Sequence, residues 1–234
     1  GILSLQGGTF NNTGGLIQAL DGSEVELAGG TIVGGPLSSS GSGKTVLMKC
    51  MVGLFEPDAG EVLYSGQNFT RMKGHDKTEI RKEIGMLFQG SALFDSLTVE
   101  QNIMFPLSMF TQWTYRKKLD RVNEVLARVN LPDVNRKYPA ELSGGMKKRV
   151  ALARAIVLNP KYLFCDEPNS GLDPQTALVI DKLIQEITLE YNITTVVNTH
   201  DMNSVMEIGN YILYMYQGHK EWEGTNKEII FFLK

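Results

Sequence analysis

Two groups of residues are of types suited to chemistry on a phosphate. The first is Gly41-Ser42-Gly43-Lys44-Thr45, with Ser40 before it. Small residues let backbone N–H groups point at phosphate oxygens, and a helix starting at Lys44 would add the positive end of its dipole. A lysine so placed reaches terminal phosphates, and a threonine hydroxyl ligates a divalent cation. The second group is Asp166-Glu167, directly after the apolar run Tyr162-Leu163-Phe164-Cys165. At the C-terminal end of a parallel strand, both carboxylates would sit beside the phosphate loop. Asp166 suits Mg2+, directly or through water. Glu167 can orient and polarise a water for in-line attack. Each group alone has a plainer reading, the first as a flexible Ser/Gly linker and the second as two exposed carboxylates ending a strand.

The pattern G-x-x-x-x-G-K-[ST] is not fully met, because Ser38 stands where its first glycine belongs, while a Gly-Pro pair lies upstream at Gly35-Pro36. Either the loop is about three residues longer than the common form, or the stretch departs from the natural sequence. A third candidate is Leu142-Ser143-Gly144-Gly145-Met146, at the head of a helix carrying Lys147, Lys148 and Arg149. Ser143 is a good N-cap, and two glycines leave the helix end bare, which makes a second anion site. A capped helix with a glycine start is the plainer alternative.

The elements that must position these residues follow from periodicity. Short apolar pieces between glycine pairs in the first 43 residues read as short antiparallel strands, the last being Thr31-Ile32-Val33. Lys44 to Leu54 reads as a helix ended by Pro57 and Gly60, and Glu61 to Tyr64 and Ile84 to Phe88 as strands. Residues 90–140 read as a mainly helical insert, with Leu119, Val122, Val125, Leu126 and Val129 on one apolar face. A helix from Ser143 to about Leu158 precedes the strand Tyr162 to Cys165. A helix from about Gln175 to Tyr191, the strand Ile193 to Asn198, a short helix after Asp201, the strand Tyr211 to Tyr216 and a hairpin near Gly224 complete the chain. Helices alternating with apolar strands predict a parallel sheet covered on both faces.

With these residues in this order, the chain resembles the nucleotide-binding domains of ABC transporters. The resemblance implies an α/β fold: a P-loop NTPase core with a parallel sheet, an N-terminal antiparallel β subdomain and a helical insert. It implies one domain over 1–234, with 1–35 as the β subdomain, 36–89 and 141–234 as the core and 90–140 as the helical subdomain. ATP and Mg2+ are the implied cofactors. Ser143, Gly144 and Gly145 match the signature that binds ATP held by a second copy of the chain. Gln89 matches the Q-loop glutamine, Asp173 in Ser170-Gly171-Leu172-Asp173 the D-loop, and His200 the switch histidine. The resemblance thus assigns Glu167, His200 and Gln89 to catalysis, and Thr45, Gln89 and Asp166 to the metal. Phe10, the only aromatic before the phosphate loop, is the candidate to stack on adenine, with core packing as its alternative. Singly, Gln89 could be a polar strand end, Asp173 a helix cap and His200 a structural residue.

Met146, in place of the commoner glutamine, and the run Phe88-Gln89-Gly90-Ser91-Ala92-Leu93-Phe94 resemble the Mla-type ATPases of bacterial phospholipid transport. That resemblance implies integral membrane permease subunits, an MCE-domain lipid-binding partner and a peripheral place on the cytoplasmic face of the inner membrane. ATPases of a lipoprotein extractor or a nutrient importer, and non-transport ABC proteins, share the same motifs. A binding module that has lost catalysis is the remaining alternative, motivated by Ser38. A net charge of −3 with interspersed signs argues against a nucleic-acid partner. The 234 residues contain no apolar run near the length that crosses a bilayer. Neither a signal peptide nor a metal-binding cysteine pair is expected, and Cys50 and Cys165 read as reduced core residues.

Overall fold

A computed structural model describes residues 3–8, 15–20, 25–30, 44–57, 60–216 and 219–229, with side chains described at 45–57, 60–215 and 221–229. The phosphate-loop residues Ser40, Gly41, Ser42 and Gly43, the Lys44 side chain, Phe10, Ser38 and the strand expected at 31–33 lie outside the described residues.

The chain begins with β1 (Leu3–Gly8), β2 (Gly15–Leu20) and β3 (Val25–Gly30), then α1 (Lys44–Met51), β4 (Glu61–Tyr64), β5 (Gln67–Asn68), α2 (Gly74–Lys82) and β6 (Ile84–Leu87). The helical insert supplies α3 (Val99–Phe110) and α4 (Tyr115–Arg128), and a 3-10 turn at Pro139–Glu141 leads into α5 (Gly144–Ile156). There follow β7 (Tyr162–Asp166), α6 (Pro174–Glu190), β8 (Thr194–Thr199), α7 (Met202–Ile208), β9 (Tyr211–Tyr216) and β10 (His219–Thr225). The helix α2 escaped the sequence reading because it is almost wholly polar, with Ile80 its one buried residue.

Two sheets form. A six-stranded sheet has the order β10-β9-β2-β8-β7-β6, and a four-stranded sheet the order β3-β1-β4-β5. Parallel pairing in the larger sheet joins β6 to β7 and β7 to β8. The expectation of successive antiparallel strands at the N-terminus is corrected in two respects. β1 pairs parallel with β3, and β2 leaves them to insert antiparallel between β8 and β9. Conversely, β4 and β5, which lie in the expected core segment, pair in the smaller sheet. Pairing partners are chosen by tertiary packing, which a local apolar pattern does not encode.

Every residue of β7 and of β8 is buried. Helices cover both faces of a parallel sheet, so its central strands need no polar side. Polar residues in such strands therefore need partners. The Thr195 hydroxyl finds one in Thr188, 2.7 Å away. A second cluster joins the two sheets: Tyr64 packs edge-on against Tyr162 at 4.8 Å and Phe69 at 5.2 Å, and its hydroxyl donates to the Met51 carbonyl at 2.7 Å. Burial pushes the Tyr64 pKa well up. Cys50 and Cys165 are buried and not disulfide-bonded, as expected.

In the insert, Val122, Val125, Leu126 and Val129 are buried and Leu119 packs against the same core, as their helical spacing predicts. The loop before α3 is held from within. Asn102, fully buried, donates to the carbonyls of Phe94, Leu97 and Thr98 and accepts from the Phe94 N–H. Thr98 and Gln101 close a capping box at the start of α3.

Candidate active site

The register of β7 against β8 sets Asp166 opposite Asn198. Asp166 is only 3% exposed. Its Oδ1 accepts from the Thr45 hydroxyl at 3.0 Å and from Asn198 Nδ2 at 2.5 Å. Thr45 lies in the first turn of α1, so the fold brings the end of the expected phosphate loop onto the acidic strand end. Asp166 enters no ion pair among the described residues. Lys148 is a cation beside it, and a hydroxyl with a carboxylate is a hard oxygen pair suited to Mg2+. No cluster of three or more His, Cys, Asp or Glu exists among the described residues. Thr45 and Asp166 supply two oxygen donors, and Mg2+ usually takes one or two protein ligands and completes its shell with water and phosphate.

Glu167 follows at the strand end with φ of 47°. That left-handed conformation strains a non-glycine residue and is typical of functional sites. It is held by the Glu167 N–H donating to the Asn198 carbonyl at 2.8 Å. The carboxylate lies 2.7 Å from His200 Nδ1, whose ring is 75% exposed. His200 leaves β8 at a turn fixed by Asp201, which caps α7 through the Asn203 N–H and donates its own N–H to Thr199. Asp166 is buried and Glu167 half-buried beside an exposed histidine, each with its own partner, which suits one to metal binding and the other to proton transfer.

Three further positions carry the surroundings. Gln89 Nε2 donates to the Ser170 hydroxyl at 3.5 Å, so the loops after β6 and β7 touch. Lys148, on α5, points inward and is 4% exposed. It donates to the backbone carbonyls of Gln89 and Glu167. Burial pulls the Lys148 pKa down, countered by Cys165, Asp166 and Glu167 beside it. Arg154 donates to the carbonyls of Ser91 and Ala92, two consecutive residues at positive φ. Behind the loop after Glu167, Asn169 donates to Asp181 and Ser204, and Ser204 donates to Asp181. Burial raises the Asp181 pKa, and the bonds from Ser204 and Asn169 oppose that rise. Asn169, Asp181, Asn198 and Ser204 carry no motif, and only three-dimensional proximity finds them.

A family model described as ABC transporter matches residues 25–170. The chain belongs to the ABC transporter family. Among curated proteins it is 41% identical over 215 residues to the methionine import ATP-binding protein MetN of Carboxydothermus hydrogenoformans, which covers 91% of this chain and 63% of that protein. It is 36% identical over 222 residues to methionine import ATP-binding protein MetN 1 of Pseudomonas putida, covering 94% and 66%. The chain thus spans under two thirds of the length of these relatives. Among solved structures it superposes on the dimeric structure of MJ0796, a bacterial ABC transporter cassette, with a TM-score of 0.73 and 32% identity over 80% of this chain and 82% of that one. The same figures hold for a post-hydrolysis MJ0796 dimer bound to ADP and Pi.

In this ABC chain the signature turn divides its labour. Ser143 caps α5 by accepting from the Met146 N–H at 3.3 Å. Ser143 and Gly144 are exposed, whereas Gly145 is buried. A Cβ on Gly145 would lie 2.5 Å from Thr176 Cγ2, so this glycine is needed for the approach of α5 to α6. Among the described residues, no hydrogen bond or ion pair joins Ser143, Gly144 or Gly145 to the cluster around Asp166 and Glu167. Asp173 caps α6, accepting from Gln175 N–H, Thr176 N–H and the Thr176 hydroxyl. The Thr176 bonds hold its pKa below the usual carboxylate range. The capping alternative for Asp173 is therefore realised in the single chain. Gly145→Ala is expected to cost about 1–3 kcal/mol of unfolding free energy from overpacking. Thr176→Ser, which keeps the hydroxyl on Asp173 but removes the methyl, should recover most of that loss. Denaturation midpoints of the four chains check this, and an equal loss in both backgrounds would assign the cost elsewhere.

Proposed function

We propose that the chain binds ATP with Mg2+ and hydrolyses it as the motor subunit of an ABC transporter of the nutrient-importer class. The observation that carries the enzymatic reading is the pairing of Thr45 with Asp166 and of Glu167 with His200 on adjoining strand ends. Mg2+, when bound by Thr45 and Asp166, neutralises phosphate charge. Glu167 accepts a proton from a water as that water's oxygen bonds the γ-phosphorus, the bond to the ADP oxygen breaks and inorganic phosphate forms. His200 Nδ1 donates to the ionised carboxylate and holds it toward that water. Gln89, beside Ser170, links the metal side to the helical insert, so occupancy of the site can move the insert.

Partners follow from incompleteness. Ser143 and Gly144 form an exposed anion-binding helix end with no phosphate loop of its own. A second copy would bring its own Ser143-Gly144-Gly145 over the nucleotide held by the first, and Lys44, Ser40, Gly41, Ser42 and Gly43 would cradle its phosphates. The dimeric structure of MJ0796 supports this arrangement. Permease subunits fit the groove lined by Phe88, Phe94, Phe105, Phe110, Arg81 and Arg154, where Phe94 and Phe105 stand exposed with ring centroids 5.1 Å apart. No helix among the described residues is long and apolar enough to cross a membrane, which suits a peripheral subunit.

For the cargo, the comparisons support the nutrient-importer alternative better than the phospholipid reading. Met146 and the segment after Phe88 resemble phospholipid ATPases, but over more than nine tenths of the chain the relatives are named methionine importers. The comparisons lend no support to an MCE-domain partner, and a small nutrient such as methionine replaces lipid as the proposed cargo. The test is ATPase activity of the natural protein reconstituted in proteoliposomes with the membrane subunits encoded beside it. Hydrolysis by the chain alone is expected to be slow, to rise with those subunits and to respond to methionine with its binding protein. A response to a lipid carrier alone would return the cargo to phospholipid, and absence of hydrolysis would remove the ATPase reading.

A further inference from the structure

Asn198 is a polar residue where packing alone asks for an apolar one. It lies in a strand buried on both faces, beside Val196 and Val197, and is itself 1% exposed. Aliphatic residues normally fill such positions. Its amide nitrogen donates to Asp166 Oδ1 at 2.5 Å and reaches Thr45 Oγ1 at 3.4 Å. Only the N–H2 end can face an ionised carboxylate, because the opposite orientation would oppose two acceptors. That fixes Oδ1 on the other side, where it is buried and meets no donor among the described residues. Native interiors rarely leave a buried acceptor unpaired, and water or an ion is the usual explanation. The Asn198 main-chain carbonyl meanwhile holds the Glu167 N–H.

We propose that Asn198 is a positioning residue for the metal side of the site. Its amide N–H2 sets the Asp166 carboxylate and the Thr45 hydroxyl as a pair, the two groups that would hold the divalent cation. The inference rests on the nucleotide reading above and deepens it. One residue then serves both carboxylates: its side chain orders Asp166, and its backbone, which no substitution removes, orders Glu167. A side-chain variant should therefore disturb metal binding and leave the geometry of Glu167 in place.

The experiment is equilibrium binding of a fluorescent ATP analogue to the natural protein, to Asn198→Val and to Asn198→Ser, titrated with Mg2+ from a metal-free start. Thermal unfolding of the nucleotide-free chains is followed in parallel. Hydrogen bonds to charged groups are worth enough that the Mg2+ midpoint should rise roughly tenfold in both variants. Metal-free nucleotide affinity should stay at the wild-type value, while the nucleotide-free variants melt lower than wild type because the buried Asp166 carboxylate loses a donor. An unchanged Mg2+ midpoint in the variants overturns the inference while the nucleotide reading stands. So does a matching loss of metal-free affinity in both, which would mark Asn198 as merely structural. A wild-type chain that binds no nucleotide at any Mg2+ concentration removes the nucleotide reading, and this inference with it.

Discussion

Glu167→Gln is expected to slow ATP hydrolysis by roughly 10²–10⁴-fold, the usual loss on removing a general base, while nucleotide binding persists. The substitution is nearly isosteric. It leaves the Glu167 N–H bond to the Asn198 carbonyl intact, so the strained φ of 47° is still held. It leaves Thr45, Asp166 and Asn198 untouched, so the groups that would hold Mg2+ remain. What it removes is the basic oxygen 2.7 Å from His200 Nδ1. With binding preserved and turnover blocked, ATP should hold two copies together for longer. Size-exclusion chromatography in ATP should show the variant as a dimer under conditions where the wild type returns to monomer. Wild-type turnover in Glu167→Gln would exclude this residue as the base. A monomeric variant, loaded with ATP, would count against the two-copy site.

Gly85→Ala should have the largest effect on stability, a loss of about 3 kcal/mol or more from steric strain without a relief path. An added Cβ would sit 2.4 Å from the Ala155 carbonyl oxygen and 3.2 Å from Pro160 Cγ. The first of these is backbone, so no side chain can swing away. The alternative is to lift α5 from β6. That helix carries Lys148 and Arg154, which hold the carbonyls of Gln89, Glu167, Ser91 and Ala92. The strain would thus reach the site as well as the core. Gly90→Ala is the control, because a Cβ there meets nothing within 4 Å. The urea midpoint should drop sharply for the first and hardly for the second. A Gly85→Ala chain with wild-type stability would mean that α5 is free to move off the sheet.

The dependence of these outcomes on named neighbours shows how the information is divided. Thr45, Asp166 and Glu167 were legible because each stands at a boundary with a local mark, a glycine-rich run before a helix or an apolar strand ending in polar residues, whereas His200 was named only by its match to a family position. Ser143 and Asp173 were legible as caps for the same reason, since a serine or aspartate ahead of a helix satisfies orphan N–H groups. The buried face of α4 was legible because helical periodicity is itself a local signal.

By itself the sequence determined the order and type of most elements, the capped helix starts and the carboxylates at the strand end, because all of these depend on residues within a few positions of one another. Tertiary structure alone decided which strands pair, so that β2 entered the large sheet and β4 the small one. It alone turned Lys148 inward, made Gly85 and Gly145 indispensable to the approach of α5, and set Asn198 against Asp166. The physical reason is that pairing register, close approach and the satisfaction of buried polar groups are properties of contacts between distant segments, which no local pattern records.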